Sequence, residues 1–167
     1  MSSLVRLAPA LAVAAAFIAS AATPGTTSSP TCSRSAAKRA IAASKLPKRV
    51  KIDASGRYGA GVNRLLCREL TRDKQEDMVA SIYSGGTAGD HAWIVFASTQ
   101  RGWKLLFRRL DLYKVGLRAA SNGIVETLPL YKRDDPNCCP TGGFDHKLFR
   151  RRHGRFALAR AWHTAKP

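Results

Sequence analysis

Two mostly apolar segments separated by a glycine-rich turn constrain the fold of this chain more than any other feature. Met78 to Tyr83, apart from Ser81, and Trp93 to Phe96 are apolar on both faces, so both faces of each segment avoid water. The residues between them, SGGTAGD from Ser84 to Asp90, contain three glycines and predict a wide hairpin loop. The two segments are therefore predicted to be central strands of an antiparallel sheet.

Further short strands separated by turn residues are predicted on both sides of this pair. The predicted strands cover 48–53, 62–68, 77–83, 91–98, 103–109, 113–120, 123–130, 145–152 and 155–162. Asn122-Gly123 has the strongest two-residue hairpin chemistry, because both residues tolerate positive φ. Connections this short make neighbouring strands antiparallel.

One helix is predicted before the strands, over 34–45. Ser33 or Ser35 can cap its first turn, and Pro47 ends it. Its packing face consists of Ala37, Ala40, Ile41 and Ser44, which recur at helical spacing. The fold class is thus α+β, with an N-terminal helix packed on a mainly antiparallel meander sheet of about seven to nine short strands, stabilised by disulfides.

The first residues have the pattern of a secretory signal peptide. Arg6 precedes an apolar run, and Ala19-Ser20-Ala21 provides a cleavage site, so 1–21 is predicted to be removed. Residues 22–32 form a Ser/Thr/Pro spacer, and 33–167 form a single α+β domain. This organisation predicts a secreted or extracytoplasmic, cell-wall-associated monomer without a transmembrane segment in the mature chain.

The positive charge of the chain is concentrated near both ends of the mature domain. The formal net charge is +17, and residues 33–51 and 146–167 each contain seven Lys or Arg and no acid. Such blocks are typical of solvated surface, or of binding to a polyanion such as an anionic envelope polymer. Export argues against nucleic acid as the natural partner. The candidate anion-binding residues are Arg34, Lys38, Arg39, Arg150, Arg151 and Arg152.

An acidic loop precedes the first central strand and has oxygen side chains at calcium-loop spacing. The candidate ligands are Glu69, Thr71, Asp73 and Asp77, at relative positions 1, 3, 5 and 9. Lys74 occupies the position of the usual turn glycine, and Arg72 adds a second cation. The pattern therefore favours a turn in which Asp73 and Asp77 bind backbone amides. No cofactor is predicted, and calcium at this loop is the one candidate.

The mature chain contains four cysteines, and an even number in an exported protein predicts two disulfides. They are Cys32, Cys67, Cys138 and Cys139. Two arrangements stay open: a vicinal Cys138–Cys139 bridge with Cys32–Cys67, or two long-range bridges.

The C-terminal residues alternate with period two and predict a hairpin. Phe144, His146, Leu148, Arg150 and Arg152 share one face of its first strand, and Phe156, Leu158, Arg160 and Trp162 share one face of its second. The aromatic spacing favours a core hairpin with a basic outer edge.

Three phrases together resemble a known family. They are the acidic loop entering MVASIYSGGTAGDHAWIVF, then GIVETLPLY, then DDPNCCPTGGFDH. The likeness is to small exported actinobacterial proteins related to the mycobacterial LppP/LprE-type lipoproteins, and it covers about residues 62–163. The lipidated cysteine of the lipoprotein branch has no equivalent here. The resemblance implies an envelope or secreted location and supplies neither an activity nor catalytic residues.

These observations predict a non-enzymatic secreted or envelope-associated protein that binds anionic envelope polymers through its basic ends. No catalytic residue is assigned. One alternative is an envelope-polymer hydrolase, for which Asp134, Asp135 and Asp145 are the nearest candidate carboxylates. Another is a calcium-dependent adhesion module that uses the acidic loop.

Overall fold

The two apolar segments form the centre of the molecule, covered on both faces as their composition requires. The computed structural model describes residues 29–167. The signal peptide predicted at 1–21, and the spacer up to residue 28, lie outside the described residues. In the described part, two helices cover one face of a four-stranded sheet and a second four-stranded sheet covers the other.

All strand neighbours are antiparallel and follow each other in sequence. The helices are α1 (Arg34–Ala43) and α2 (Lys48–Ser55), followed by a 3-10 turn at Arg57–Gly59. The first sheet contains β1 (Gly61–Arg68), β2 (Asp77–Tyr83), β3 (Asp90–Thr99) and β4 (Gly102–Arg109); the second contains β5 (Gly116–Ala120), β6 (Gly123–Pro129), β7 (Phe144–Arg152) and β8 (Arg155–Thr164). The predictions of an N-terminal helix, antiparallel strands and a stabilising disulfide are confirmed, in a fold that is mostly β.

The prediction of a single meander sheet is wrong, because the chain changes layer between β4 and β5. In this connection the amides of Leu112 and Val115 donate to the carbonyls of His91 and Asp90, at 2.8 and 3.0 Å. The chain therefore crosses the start of β3 instead of continuing beside β4. The second sheet buries Val79, Trp93 and Val95 on the face that the helices leave open.

The helix α1 forms as predicted, with Ser33 at its N-cap accepting a hydrogen bond from the Ala36 amide at 3.1 Å. Ala37, Ala40 and Ile41 are buried against the first sheet, together with Met78. Small side chains on this face let the helix approach the strands closely.

The strand predicted at 48–53 is instead the helix α2. Pro47 stands before its first residue, and Gly56 ends it in the left-handed conformation at φ 94°. The alternation of Val50 and Ile52 favoured a strand, but Val50 packs with Ala54 at helical spacing while Ile52 is 36% exposed. Neither of the described helices is long and apolar enough to cross a membrane.

The C-terminal hairpin forms as β7 and β8, but its predicted core face is present only in part: Phe156 is buried between the sheets, whereas Arg160 and Trp162 are not. Leu148 pairs with Arg160 and Phe149 pairs with Leu158, so Ala159 has no partner. This bulge reverses the alternation in the middle of β8. Two neighbouring aromatic residues, Phe149 and Phe156, therefore enter the core between the sheets.

The other end of the predicted face, where His146 pairs with Trp162, lies outside both hydrophobic cores. His146 stacks on Trp162 there, with ring centroids 5.1 Å apart. Both ring nitrogens of His146 contact threonine hydroxyls, Thr127 at 2.9 Å and Thr164 at 2.7 Å. The polar atoms of the buried imidazole are thus satisfied.

Candidate anion-binding site

Arginines from two distant parts of the chain line one cleft of about 250 Å³. The acidic loop forms one wall, the turn between β5 and β6 forms another, and the end of β7 forms the third. The lining residues are Glu69, Leu70, Arg72, Ser121, Asn122, Arg150, Arg151 and Arg152. The structure therefore brings together three of the predicted anion-binding arginines and adds Arg72.

Close packing holds the turn between β5 and β6 against the end of β7. A side chain at Gly123 would collide with the Phe149 carbonyl oxygen and with the stem of Arg150. Neither Asn122 nor Gly123 has positive φ, so the glycine is required by this contact and not by the backbone angle that the sequence suggested. Asn122 is thereby placed beside the arginines of β7.

The acidic loop is attached to the same strand by a side chain. Arg151 donates a hydrogen bond to the Thr71 carbonyl, and the Arg72 amide donates to the Glu69 carboxylate. Arg72 itself is exposed and has a left-handed backbone, with φ 66°. The Arg151 contact thus positions Arg72 at the mouth of the cleft.

The charge around the cleft is strongly unbalanced. Four guanidinium groups and one carboxylate, that of Glu69, line it. Within residues 29–167 none of these four arginines forms an ion pair with a carboxylate. The Nε atom of Arg150 is buried and has no hydrogen-bond partner in the described structure. The arrangement is suited to an anion with several acceptor oxygens, because guanidinium groups bind such groups through paired donors.

The other predicted basic residues lie in a different layer. Arg34 donates to the Val62 carbonyl at 2.5 Å, and Lys38 approaches the Ser55 carbonyl at 3.4 Å. Arg34, Lys38 and the exposed Arg39 all belong to α1, which packs on the first sheet. The structure does not bring this group to the cleft formed by Arg150, Arg151 and Arg152.

In the acidic loop, each predicted carboxylate ligand accepts a backbone amide hydrogen bond. Asp77 accepts from the Leu70 amide at 2.7 Å, and Asp73 accepts from the Gln75 amide at 2.9 Å. The Thr71 hydroxyl also contacts Asp77, at 3.4 Å. Burial raises the pKa of the Asp77 carboxyl above its usual range, although these hydrogen bonds oppose the shift. The geometry matches the turn interpretation of Asp73 and Asp77.

The three carboxylates among the predicted calcium ligands, Glu69, Asp73 and Asp77, do not lie within 4.8 Å of one another. Among residues 29–167, the one group that places three candidate metal-binding atoms within 4.8 Å consists of Cys32, Cys67 and Glu76. The two sulfurs are bonded to each other, so neither is a thiolate donor. Calcium binding by Glu69, Thr71, Asp73 and Asp77 stays a prediction.

Both disulfides are present, in the arrangement with a vicinal bridge. Cys32 pairs with Cys67, and Cys138 pairs with its neighbour Cys139. The first bridge joins the segment before α1 to β1. The second lies in the exposed loop between β6 and β7.

The carboxylates proposed for the hydrolase alternative are engaged in local contacts. Asp135 accepts from the amides of Lys132 and Thr141, each at 2.7 Å. Asp145 contacts the ring of His163 at 3.1 Å. No observation in the described structure therefore favours this alternative.

A buried ionic cluster between the sheets was not found from the sequence. The fully buried Glu126 accepts from the Trp93 indole at 2.7 Å and from two nitrogens of Arg109, at 3.0 and 3.1 Å. The signal was an acid inside the apolar strand GIVETLP. The other missed residues, Arg72, Ser121 and Asn122, carried no signal, since only tertiary packing places them beside β7.

Comparison with known proteins finds no relative to which function can be transferred. No protein-family model matches the chain, no curated protein matches it, and no solved structure matches it. The resemblance to the LppP/LprE-type proteins accordingly stays an expectation.

Proposed function

We propose that this chain is a non-enzymatic secreted or envelope-associated protein that binds anionic envelope polymers, with the arginine-lined cleft as its principal contact. The observation that carries the proposal is the convergence of Arg72, Arg150, Arg151 and Arg152 on one cleft, where none of them forms an ion pair with a carboxylate of residues 29–167. Like charges brought together in this way repel one another, and a bound anion reduces this repulsion among the guanidinium groups.

The size of the cleft indicates how much of a polymer it contacts. A volume of about 250 Å³ admits one anionic group and its immediate neighbours, not a length of chain. The exposed arginines Arg72 and Arg152 can reach flanking groups. Repeating phosphates, as in teichoic acid, supply both kinds of contact.

The basic face of α1 contributes at a distance from the cleft. Arg34 and Lys38 each hold a backbone carbonyl, so fewer of their donors are free for a ligand. Their charge still attracts a polyanion in solution. The DPNCCP turn and the predicted signal peptide support the envelope location.

The proposal is tested by retention on immobilised teichoic acid across a salt gradient. In the cleft variant, Arg72→Asn, Arg150→Gln and Arg152→Gln remove three charges while Arg151 keeps its contact with Thr71. Affinity decreases as salt rises, and each phosphate contact contributes about 0.7 to 0.9 to the steepness of log affinity against log salt. Loss of three contacts is therefore expected to make this dependence shallower by about 2.

A matched control removes three exposed cations that do not line the cleft, by Arg101→Gln, Lys104→Gln and Arg133→Gln. This variant has the same net charge and is expected to keep most of the retention. Equal loss in the two variants would show that total charge, not the cleft, determines binding. Wild-type retention no stronger than that of a basic protein of matched size would refute polymer binding altogether.

A further inference from the structure

The two disulfides differ in what they can contribute to stability. A disulfide stabilises a fold mainly by closing a loop in the unfolded chain, and its effect grows with the length of that loop. Cys32 and Cys67 are 35 residues apart in sequence, whereas Cys138 and Cys139 are adjacent and close no loop. Loop closure therefore gives no reason for the second bridge.

Their exposure differs as well. Both cysteines of the vicinal bridge are exposed, while Cys32 and Cys67 are half-buried and Cys32 packs against the core under the helices. Thiol–disulfide exchange requires an attacking thiolate to reach a sulfur atom. The vicinal bridge is thus the accessible one.

The loop around the vicinal bridge is held by contacts that do not involve sulfur. Asp135 accepts from Lys132 and from both the amide and the hydroxyl of Thr141, all at 2.7 Å. On the other side, the Asn137 carbonyl accepts from the Tyr131 hydroxyl at 2.9 Å. None of these contacts involves a sulfur atom, so opening the disulfide does not by itself break them.

Two further residues fix Asn137 from the connection between the sheets. Lys114 donates to the Asn137 side-chain oxygen at 2.9 Å, and the Tyr113 hydroxyl donates to the same oxygen. The Lys114 ammonium also lies 5.2 and 5.1 Å from the ring centres of Tyr113 and Tyr131. The loop is therefore tied to the body of the protein.

The vicinal bridge is also served by an approach surface. Cys138 lines a groove of about 300 Å³ together with Tyr131, Pro140 and Phe144, and Lys114 lines it as well. The apolar walls suit the carbon skeleton of a thiol-bearing molecule. A nearby ammonium group favours the thiolate form of a cysteine released by exchange.

We infer that Cys138–Cys139 is a thiol–disulfide exchange site whose co-reactant is an external dithiol. One thiolate of the dithiol attacks one sulfur of the bridge, forming a mixed disulfide while the other cysteine leaves as a thiolate and takes a proton from water. The second thiol of the reductant then loses its proton and attacks the other sulfur of the reductant, which is bonded to the protein cysteine in the mixed disulfide. This step releases the remaining cysteine and a cyclic oxidised reductant, so two electrons have passed to the protein.

The inference is tested by titrating the oxidised protein with dithiothreitol, alkylating with iodoacetamide and mapping the modified peptides by mass spectrometry. Cys138 and Cys139 are expected to be alkylated at a reductant concentration about tenfold or more below that needed for Cys32 and Cys67. Near-ultraviolet circular dichroism is expected to show packed aromatic residues in that reduced form. Oxidised glutathione should restore the bridge.

Paired variants separate exchange from structural support. Cys138→Ser with Cys139→Ser is expected to leave the melting temperature nearly unchanged, and Cys32→Ser with Cys67→Ser to lower it. Reduction of both bridges at the same concentration would overturn the inference. Loss of aromatic packing on opening of the vicinal bridge alone would also overturn it, because the bridge would then be structural.

Discussion

Two aspartates organise loops in this molecule with the same set of hydrogen bonds but in opposite surroundings. Asp77 accepts from the amides of Leu70 and Ser98 and from a threonine hydroxyl, and it is fully buried. Asp135 also accepts from two amides and a threonine hydroxyl, but its loop lies in solvent.

The surroundings reverse the effect on each carboxyl. Burial raises the pKa of Asp77 despite its hydrogen bonds, whereas the Thr141 amide, followed by the Lys132 amide, lowers the pKa of Asp135. Identical local chemistry therefore produces a turn that is part of the core and a turn that stands apart from it. Solvent access, more than hydrogen-bond count, decides which of the two results.

The contrast between the Asp77 and Asp135 turns is tested most directly by removing each carboxylate in turn. Asp77→Ala is expected to lower the free energy of unfolding by about 3 kcal/mol, because it leaves buried donors of Leu70, Ser98 and Thr71 unpaired. Asp135→Ala is expected to lower it by clearly less, since water replaces the lost acceptor. Urea denaturation measures both values.

Asp73→Ala is the control for this pair. Asp73 is exposed and accepts one amide hydrogen bond, so its removal should have the smallest effect in the acidic loop. Similar losses for Asp77→Ala and Asp135→Ala would mean that burial does not separate the two turns.

The pH dependence of stability sharpens the same contrast at a smaller scale. In the unfolded chain, the pKa of both carboxyls has the ordinary aspartate value of 3.8. The folded pKa of Asp77 is raised, so the folded state binds its proton more tightly and stability falls as pH rises above 3.8 through the folded pKa. The folded pKa of Asp135 is lowered, so its contribution is present above 3.8 and is lost as pH falls through the folded pKa.

Melting temperatures measured between about pH 2 and pH 7 separate the two contributions. Asp77→Asn should remove the decline above pH 3.8, and Asp135→Asn should remove the loss below it. A wild-type profile that Asp77→Asn does not alter would contradict the assignment of the raised pKa to burial of this carboxyl.

The smallest expected effect is that of calcium. Since Glu69, Asp73 and Asp77 each accept a backbone amide, millimolar calcium should shift the melting temperature by less than about 1 °C relative to chelator. An upward shift that disappears in Asp73→Ala would instead identify a working cation loop.

Local patterns predicted the strands well, because turn residues and alternation act over a few positions. The division into two sheets was not predictable in this way, since it depends on amides of Leu112 and Val115 meeting the start of β3. The helix α2 was missed because Val50 and Ile52 alternate like strand residues, while the burial of Ala54 is known only in three dimensions.

The candidate cleft was half predictable. A run of three arginines is visible in sequence, but Arg72 joins it through tertiary contacts, among them the hydrogen bond from Arg151 to the Thr71 carbonyl. The cysteine pairing could not be derived from the sequence either. The choice between the two arrangements depends on the distances between the cysteines in the folded chain, and the sequence pattern is compatible with both.

The cluster of Glu126, Trp93 and Arg109 has a consequence for how the two sheets are aligned. The carboxylate belongs to β6, while its donors belong to β3 and β4 of the other sheet. Apolar side chains alone would tolerate several offsets between the layers. Displacing one sheet by a single residue would separate Glu126 from both partners, and an unpaired buried charge costs about 3–5 kcal/mol. The ionic cluster thus selects one offset between the two sheets among several that apolar packing alone would allow.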